Sequence, residues 1–219
     1  MARPSQNIDQ ALLNSGRALF PQCGCKNLSL RQLTEHANCN MGMFHYHFRS
    51  KDNFLATLLQ NMYEELFAQL QAETEHPGTP IERLAHTMVM LARLLREHGH
   101  WLGRVWSDAA HGESVAQEFL KKNGSRHMQL IISLIMQAKL DGSLGEIAPM
   151  QAFTFLMGSI AAPMVIAPRV MQLGFAPQFF HQQMQDTVLS DEAIVERVQR
   201  ALYALQIPKS SLASGEPHV

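Results

Sequence analysis

Apolar residues recur along the chain at helical spacing, and no stretch sustains the apolar/polar alternation of a half-buried strand. Ile8, Ala11, Leu12, Ser15 and Leu19 fall on one face of a first helix of about three turns, which ends near Pro21 and Gly24. Ser29 then predicts the cap of a short second helix with Leu30, Leu33 and Ala37 turned inward. Asn38 falls where the chain must turn, because asparagine tolerates a left-handed backbone, and Asn40 predicts the cap of a third helix with Phe44 and Phe48 inward. Two short helices around a tight turn, following a longer one, spell a helix-turn-helix unit whose second member projects its outer face.

Ser50 opens a long helix marked by Phe54, Leu55, Leu58, Leu59, Met62, Leu66 and Leu70, running to about Glu75. His76–Thr79 is a turn. Thr79, Pro80 and Glu82 supply an N-cap, an N1 proline and an N3 acid for the next helix, which Ile81, Leu84, Met88, Leu91 and Leu95 continue. A shorter aromatic piece, His100–His111, is expected to follow, and then one long helix from Ser114 to Asp141 closed by Gly142. Pro149 opens another helix, and Ser190 caps a last one that reaches Leu205 and stops at Pro208. The fold class is all-α: an N-terminal three-helix helix-turn-helix domain over 1–55, a larger helical domain over 56–208 and a flexible tail over 209–219.

One segment raises a membrane question. Ile147–Pro168 runs for 22 residues without a charge, long enough to span a bilayer. Gln151, Thr154 and Ser159 interrupt its apolar character, Pro163 is expected to break the helix near its middle, and Glu146 and Arg169 give no positive flank. A helix covered by its own core and by a partner subunit fits better than a membrane span.

The net charge of -1 conceals an uneven distribution. Residues 1–55 hold six basic and three acidic side chains, a net of +3, while the remainder is net -4. A basic head on an acidic body points the head at a polyanion. The sequence carries no Gly-rich phosphate loop, no His-Glu-x-x-His helix, no Gly-x-Ser-x-Gly elbow and no Cys-x-x-Cys pair, so nothing nominates a nucleophile with its base. The residue pairs His45/His47 and His98/His100 are two apart, a spacing that splays the rings on a helix instead of converging them on a metal. Three cysteines, Cys23, Cys25 and Cys39, read as small hydrophobes in a reducing cytoplasm, and no cofactor is expected. On this reading a DNA-binding regulator, an all-α ligand-binding protein or helical enzyme, and a dimeric scaffold all stay open.

The stretch Leu28–Leu55, LSLRQLTEHANCNMGMFHYHFRSKDNFL, resembles the DNA-binding signature of the tetracycline-repressor (TetR/AcrR) family of bacterial transcription regulators. The shared features are the Ser-capped second helix with Arg31, an Ala-Asn-Cys-Asn turn where the family usually has Ala-Gly-Val-Ser, and Gly42 in the recognition helix. The aromatic and histidine run Phe44–Phe48 and the Ser50-Lys51-Asp52 opening of the fourth helix complete the match. His45 departs from the family's usual tyrosine, and Met41 and Met43 stand where lysine and a hydroxyl residue are common. The resemblance implies a homodimeric, ligand-responsive regulator, usually a repressor, acting on palindromic operator DNA in the cytoplasm and not an enzyme.

A recognition helix reads base edges with its N-terminal outward side chains, which makes Asn40, Met41, Met43 and Tyr46 the candidates. Gly42 allows close backbone approach, Arg31 reaches a phosphate or a guanine edge, His45, His47 and Lys51 suit phosphate oxygens, and Ser29 is a further expected DNA-binding residue. The resemblance further implies an effector pocket among the central helices and a dimer formed by the last long ones. Large or adaptable side chains on those helices, Met62, His86, Met88, Met90, Trp101, Arg104, Trp106, Phe119 and Met128, are the expected lining of a pocket for a largely apolar small molecule, with His86 and Arg104 as polar anchors. Phe155, Ile160, Met164, Ile194, Val198 and Ala201 are the expected subunit contact.

Overall fold

The computed structural model describes residues 4–174 and 177–206, and among these it is helical with no strand; the tail expected over 209–219 lies outside the described residues. The helices are α1 (Pro4–Asn27), α2 (Leu30–His36), α3 (Met41–Phe48), α4 (Lys51–Thr74), α5 (Pro80–Ala110), α6 (Ser114–Asn123), α7 (Arg126–Leu140), α8 (Pro149–Leu156), α9 (Ala162–Gln172), α10 (Gln178–Met184) and α11 (Asp191–Gln206). They gather into two compact units, one holding the described residues up to Phe67 together with His100–Ser125, the other Ala68–Gly99 together with the described residues from Arg126 to Gln206. The division therefore differs from the boundary expected at residue 55, which falls inside the unbroken α4.

In the first unit α1 is a longer helix than the three turns expected, 24 residues with a kink where Gly24 adopts φ 70°. Its Leu12, Leu13 and Phe20 bury against Leu33 of α2, Phe44 and Phe48 of α3, and Phe54, Leu55, Leu58 and Leu59 of α4. Trp101 and Val105 of α5 and Ala116 and Phe119 of α6 complete this core. Gly16 lets α1 approach α4, since a Cβ there would lie 2.7 Å from the Phe54 ring and 2.8 Å from Leu58. Arg17 on α1 pairs with Glu65 on α4 across the same contact.

Two expected breaks change places. The aromatic piece His100–His111 is the continuation of α5, because Gly99 sits within a helix where nothing forces a turn. The single helix expected over 114–141 is instead two, parted at Gly124 and Ser125. There the Asn123 side chain donates to Phe119 O at 3.1 Å and to Gln60 Oε1 at 3.1 Å, while Tyr63 Oη donates to Asn123 O at 3.1 Å. A Cβ on Gly124 would stand 2.7 Å from Leu120 O.

In the second unit the capping box at the start of α5 forms as its residues dictate: Thr79 N donates to Glu82 Oε2 at 2.7 Å, and Glu82 N to Thr79 Oγ1 at 3.4 Å. Pro163 does not break its helix. A π-helical turn at Met157–Ala161 joins α8 to α9, with the Ala162 amide reaching back to Met157 O, and the widened turn accommodates the proline that cannot donate to Ser159. Pro149–Gln172 is thus long and apolar enough to cross a membrane by length and composition, with a third of its most apolar window buried inside the protein. At α11, Asp191 pairs with Arg96 at 2.8 Å and Arg93 at 3.0 Å, and the Arg96 hydrogen bond, then the charge of Arg93, holds its carboxyl below the usual range.

The expected subunit contact needs correcting on this evidence. Ile160, Met164, Ile194, Val198 and Ala201 are at most 5% exposed within their own chain, so they hold the second unit together and have no surface to offer a partner. Helical spacing marks an apolar face without saying what covers it. Of the six, Phe155 alone points outward, 42% exposed; Ile166, farther along on α9, is exposed as well.

Burial also holds the imidazole of His127, in the first turn of α7, below its ordinary range. A group kept neutral in the folded state contributes stability that is fully present above the ordinary histidine value of about 6.5 and lost as the pH falls through it. We therefore expect the melting temperature to fall on acidification from about pH 7.5 to 5.5 by less in His127→Gln than in the parent protein. Parallel curves for the two proteins would remove His127 from the acid sensitivity.

Candidate nucleic-acid interface

The α2–α3 unit is defined by side chains that close their own backbone. Ser29 caps α2 by accepting from Gln32 N at 3.1 Å, and the chain turns at Asn38 with φ 50°, a left-handed value that asparagine tolerates. Asn40 caps α3 by accepting from Met43 N at 3.0 Å. Such a cap contributes about 1 kcal/mol and occupies the Asn40 oxygen, which leaves its amide nitrogen as the group free to meet DNA.

The inward side of α3 is aromatic. Phe44 is fully buried, its ring 5.8 Å from that of Phe48 and 5.6 Å from that of Phe54, while Phe48 and Phe54 meet edge-on at 5.0 Å. This cluster fixes α3 on α4 through geometry that aromatic rings favour. The opposite side faces solvent: Met41 is 38% exposed and Tyr46 74%, with Gly42 and His45 beside them.

The other expected DNA contacts divide. Arg31 is exposed on α2 and paired with Glu35 at 2.7 Å, an exposed pair that a phosphate can displace. Met43 is only half-exposed, and the Nε2 of His47 is buried with no partner, so these two turn partly away from the surface that Met41 and Tyr46 form. Nδ1 of His45 lies 3.2 Å from Arg49 O. Lys51 donates to Lys26 O at 2.8 Å, which places its charge against the end of α1 instead of in open solvent. Arg49 was not among the expected contacts. It is exposed in the turn between α3 and α4 with φ 62°, and its place directly after the recognition helix is the sequence signal that marks it.

The residues of the expected effector lining are distributed over both units. Met62, Trp101 and Phe119 belong to the core of the first unit, and Met88 is fully buried in the second. Met90 and Met128 are half-buried, and Trp106 is 65% exposed. His86 stacks on His76 with ring centroids 3.9 Å apart, and Arg104 is engaged by Asp108 at 3.0 Å, so both proposed anchors are already partnered. The second unit has an open cleft of about 820 Å³ lined by Pro168, Met171, Gln172, Phe179, His181, Gln182 and Gln185, and a smaller one of about 300 Å³ that includes Phe155, Arg197 and Arg200. None of the nine residues lines either cleft. Of the cysteines, Cys25 has its thiol pushed up to about 12, by burial first and then by the charge of Asp108, which keeps it protonated and unreactive.

Residues 12–58 match the family model described as bacterial regulatory proteins, tetR family. The chain is 22% identical over 144 residues to the HTH-type transcriptional repressor KstR2 of Mycolicibacterium smegmatis, covering 65% of this chain and 69% of that protein. It is 27% identical over 99 residues to the repressor of the same name from Mycobacterium tuberculosis, a match that spans 45% of this chain and 49% of that one. Among solved structures it resembles a transcriptional regulator of the TetR/AcrR family from Thermobifida fusca, with a TM-score of 0.63 and 18% identity over 89% of this chain and 95% of the other. The matched stretch 12–58 holds the later part of α1, all of α2 and α3, and the start of α4 with Phe54.

Proposed function

We propose that this chain, whose residues 12–58 match the bacterial tetR family of regulatory proteins, is a cytoplasmic repressor that binds a palindromic operator as a homodimer and releases it when a largely apolar small molecule binds. The observation that supports the reading best is the two-sided α3: a Phe44, Phe48 and Phe54 cluster on one side, and on the other a solvent-facing strip of Met41, Gly42, His45 and Tyr46. A helix so short, at eight residues, exposes this strip only because the cluster holds it in place. Arg31 before it and Arg49 directly after it are exposed and offer positive charge suited to phosphates.

Met41 reads by apolar contact, which favours thymine methyls, since a thioether cannot make the bidentate hydrogen bonds that identify guanine or adenine. Hydrogen-bonded discrimination then falls to Tyr46, the Asn40 amide nitrogen and Arg31. Dimer formation is assigned to the exposed apolar side chains of the second unit, Phe155 on α8, Ile166 on α9 and Tyr203 on α11. The effector shifts operator affinity by its differential binding to two conformers, typically about 1–3 kcal/mol.

Selection of bound duplexes from random DNA tests the reading. Two inverted half-sites are expected, their centres separated by about 34–36 Å or somewhat more along the duplex. Enrichment of no sequence, or a stable monomer in sedimentation at micromolar concentration, would sink it in favour of a helical ligand-binding protein without operator DNA.

A further inference from the structure

The last turn of α1 is held from two directions by residues far away in sequence. At the Gly24 kink, the Cys25 amide donates to Asp108 Oδ2 at 2.6 Å, and Arg104 Nη2 donates to Cys23 O at 3.0 Å. Arg104 Nε and Asp108 Oδ1 close the arrangement with their own pair at 3.0 Å. Arg104 and Asp108 are four apart on α5 and so share one side of it, and Asp108 is 5% exposed. On the other side, Lys51 from the first turn of α4 donates to Lys26 O at 2.8 Å. Nothing larger than glycine fits at 24, because a Cβ would lie 2.1 Å from Arg104 Nε and the φ of +70° is strained for any side chain.

This clasp sits directly upstream of the reading helices. Four residues after Cys25 comes Ser29, the cap of α2, and α2 and α3 are only 7 and 8 residues long. Helices of that length have no independent stability and take their orientation from what they pack on, here α1 and α4. A shift of the Cys23–Lys26 turn is therefore passed to the Ser29 cap and to the whole α2–α3 unit.

Resting on the DNA-binding reading, we infer that Arg104 and Asp108 are positioning residues for operator recognition: from α5, without touching DNA, they lock the end of α1 in the geometry at which α2 and α3 meet the duplex. The buried carboxylate serves an amide and a guanidinium at once, so it specifies direction as well as distance. Arg104 accordingly acts on the head, and not as the polar anchor of an effector pocket.

The test compares parent protein, Asp108→Ala, Asp108→Asn and Arg104→Met for affinity to the selected operator duplex and to a scrambled duplex of equal length, at a temperature where circular dichroism shows each protein folded. Asp108→Ala is expected to lose at least tenfold in operator affinity with little change on the scrambled duplex. Asp108→Asn, which still accepts from Cys25 N–H, is expected to recover part of the loss, and Arg104→Met covers the case in which Asp108→Ala fails to fold. A folded variant with a lowered melting temperature but the parent's operator affinity would overturn the inference, since a merely structural role predicts that result. If the parent itself distinguishes no duplex from scrambled DNA, the DNA-binding reading falls first and this inference with it.

Discussion

Replacing Ile160 with aspartate is expected to unfold the second unit, whereas Phe155→Asp is expected to leave it folded and to abolish self-association. Ile160 is fully buried on the π-helical turn between α8 and α9. An unpaired carboxylate there pays desolvation of several kcal/mol in addition to about 2 kcal/mol of lost apolar burial, against a typical total stability of about 5–15 kcal/mol. Phe155 lies one and a half turns earlier on the outward side, 42% exposed, so a charge at that position keeps its water in the single chain. In a dimer built on the Phe155 and Ile166 surface the same charge would be buried twice, once from each copy. Circular dichroism and sedimentation separate the two outcomes. A folded Ile160→Asp would take Ile160 out of the core, and a Phe155→Asp as dimeric as the parent would place the subunit contact elsewhere.

The contrast between those two residues shows what the sequence makes legible. Caps and turns are local, so Ser29, Asn38, Asn40, Thr79 and Ser190 could be placed from residue type and spacing alone, and each closes the backbone where expected. Apolar periodicity identified the inner residues of α8, α9 and α11 correctly as a buried set. It could not tell a covering by the chain's own helices from one by a second copy, which is why five of the six expected contact residues turned out to be core. The break between α6 and α7 was obscured for a related reason: apolar spacing continues through Gly124, and the hydrogen bonds that set the break link it to residues about sixty positions earlier. Least legible was the clasp. Arg104 and Asp108 look like an ordinary i,i+4 pair until the fold brings Cys23 and Cys25, more than eighty residues away in sequence, against them.

Phe44→Ala is expected to abolish operator binding and Tyr46→Ala to weaken it, by different routes, although the residues are two apart on the same helix. Phe44 is fully buried among Phe48 and Phe54, and truncating such a ring costs about 3–5 kcal/mol through lost contacts and the cavity left behind. With α3 only eight residues long, that loss frees it from α4, and binding to any duplex falls along with the melting temperature. Tyr46 is 74% exposed, so its removal should change stability by less than about 0.5 kcal/mol. The exposed cations Arg31 and Arg49, proposed to meet phosphates, remain in Tyr46→Ala. Its affinity for scrambled DNA and the slope of log affinity against log salt should therefore match the parent, while discrimination between operator and scrambled duplex shrinks by about 1–3 kcal/mol. Titrations at several salt concentrations, paired with thermal melts, read both quantities. If Tyr46→Ala lowered the salt slope and left discrimination intact, Tyr46 would be a backbone contact, and base reading would pass to Met41, Asn40 and Arg31.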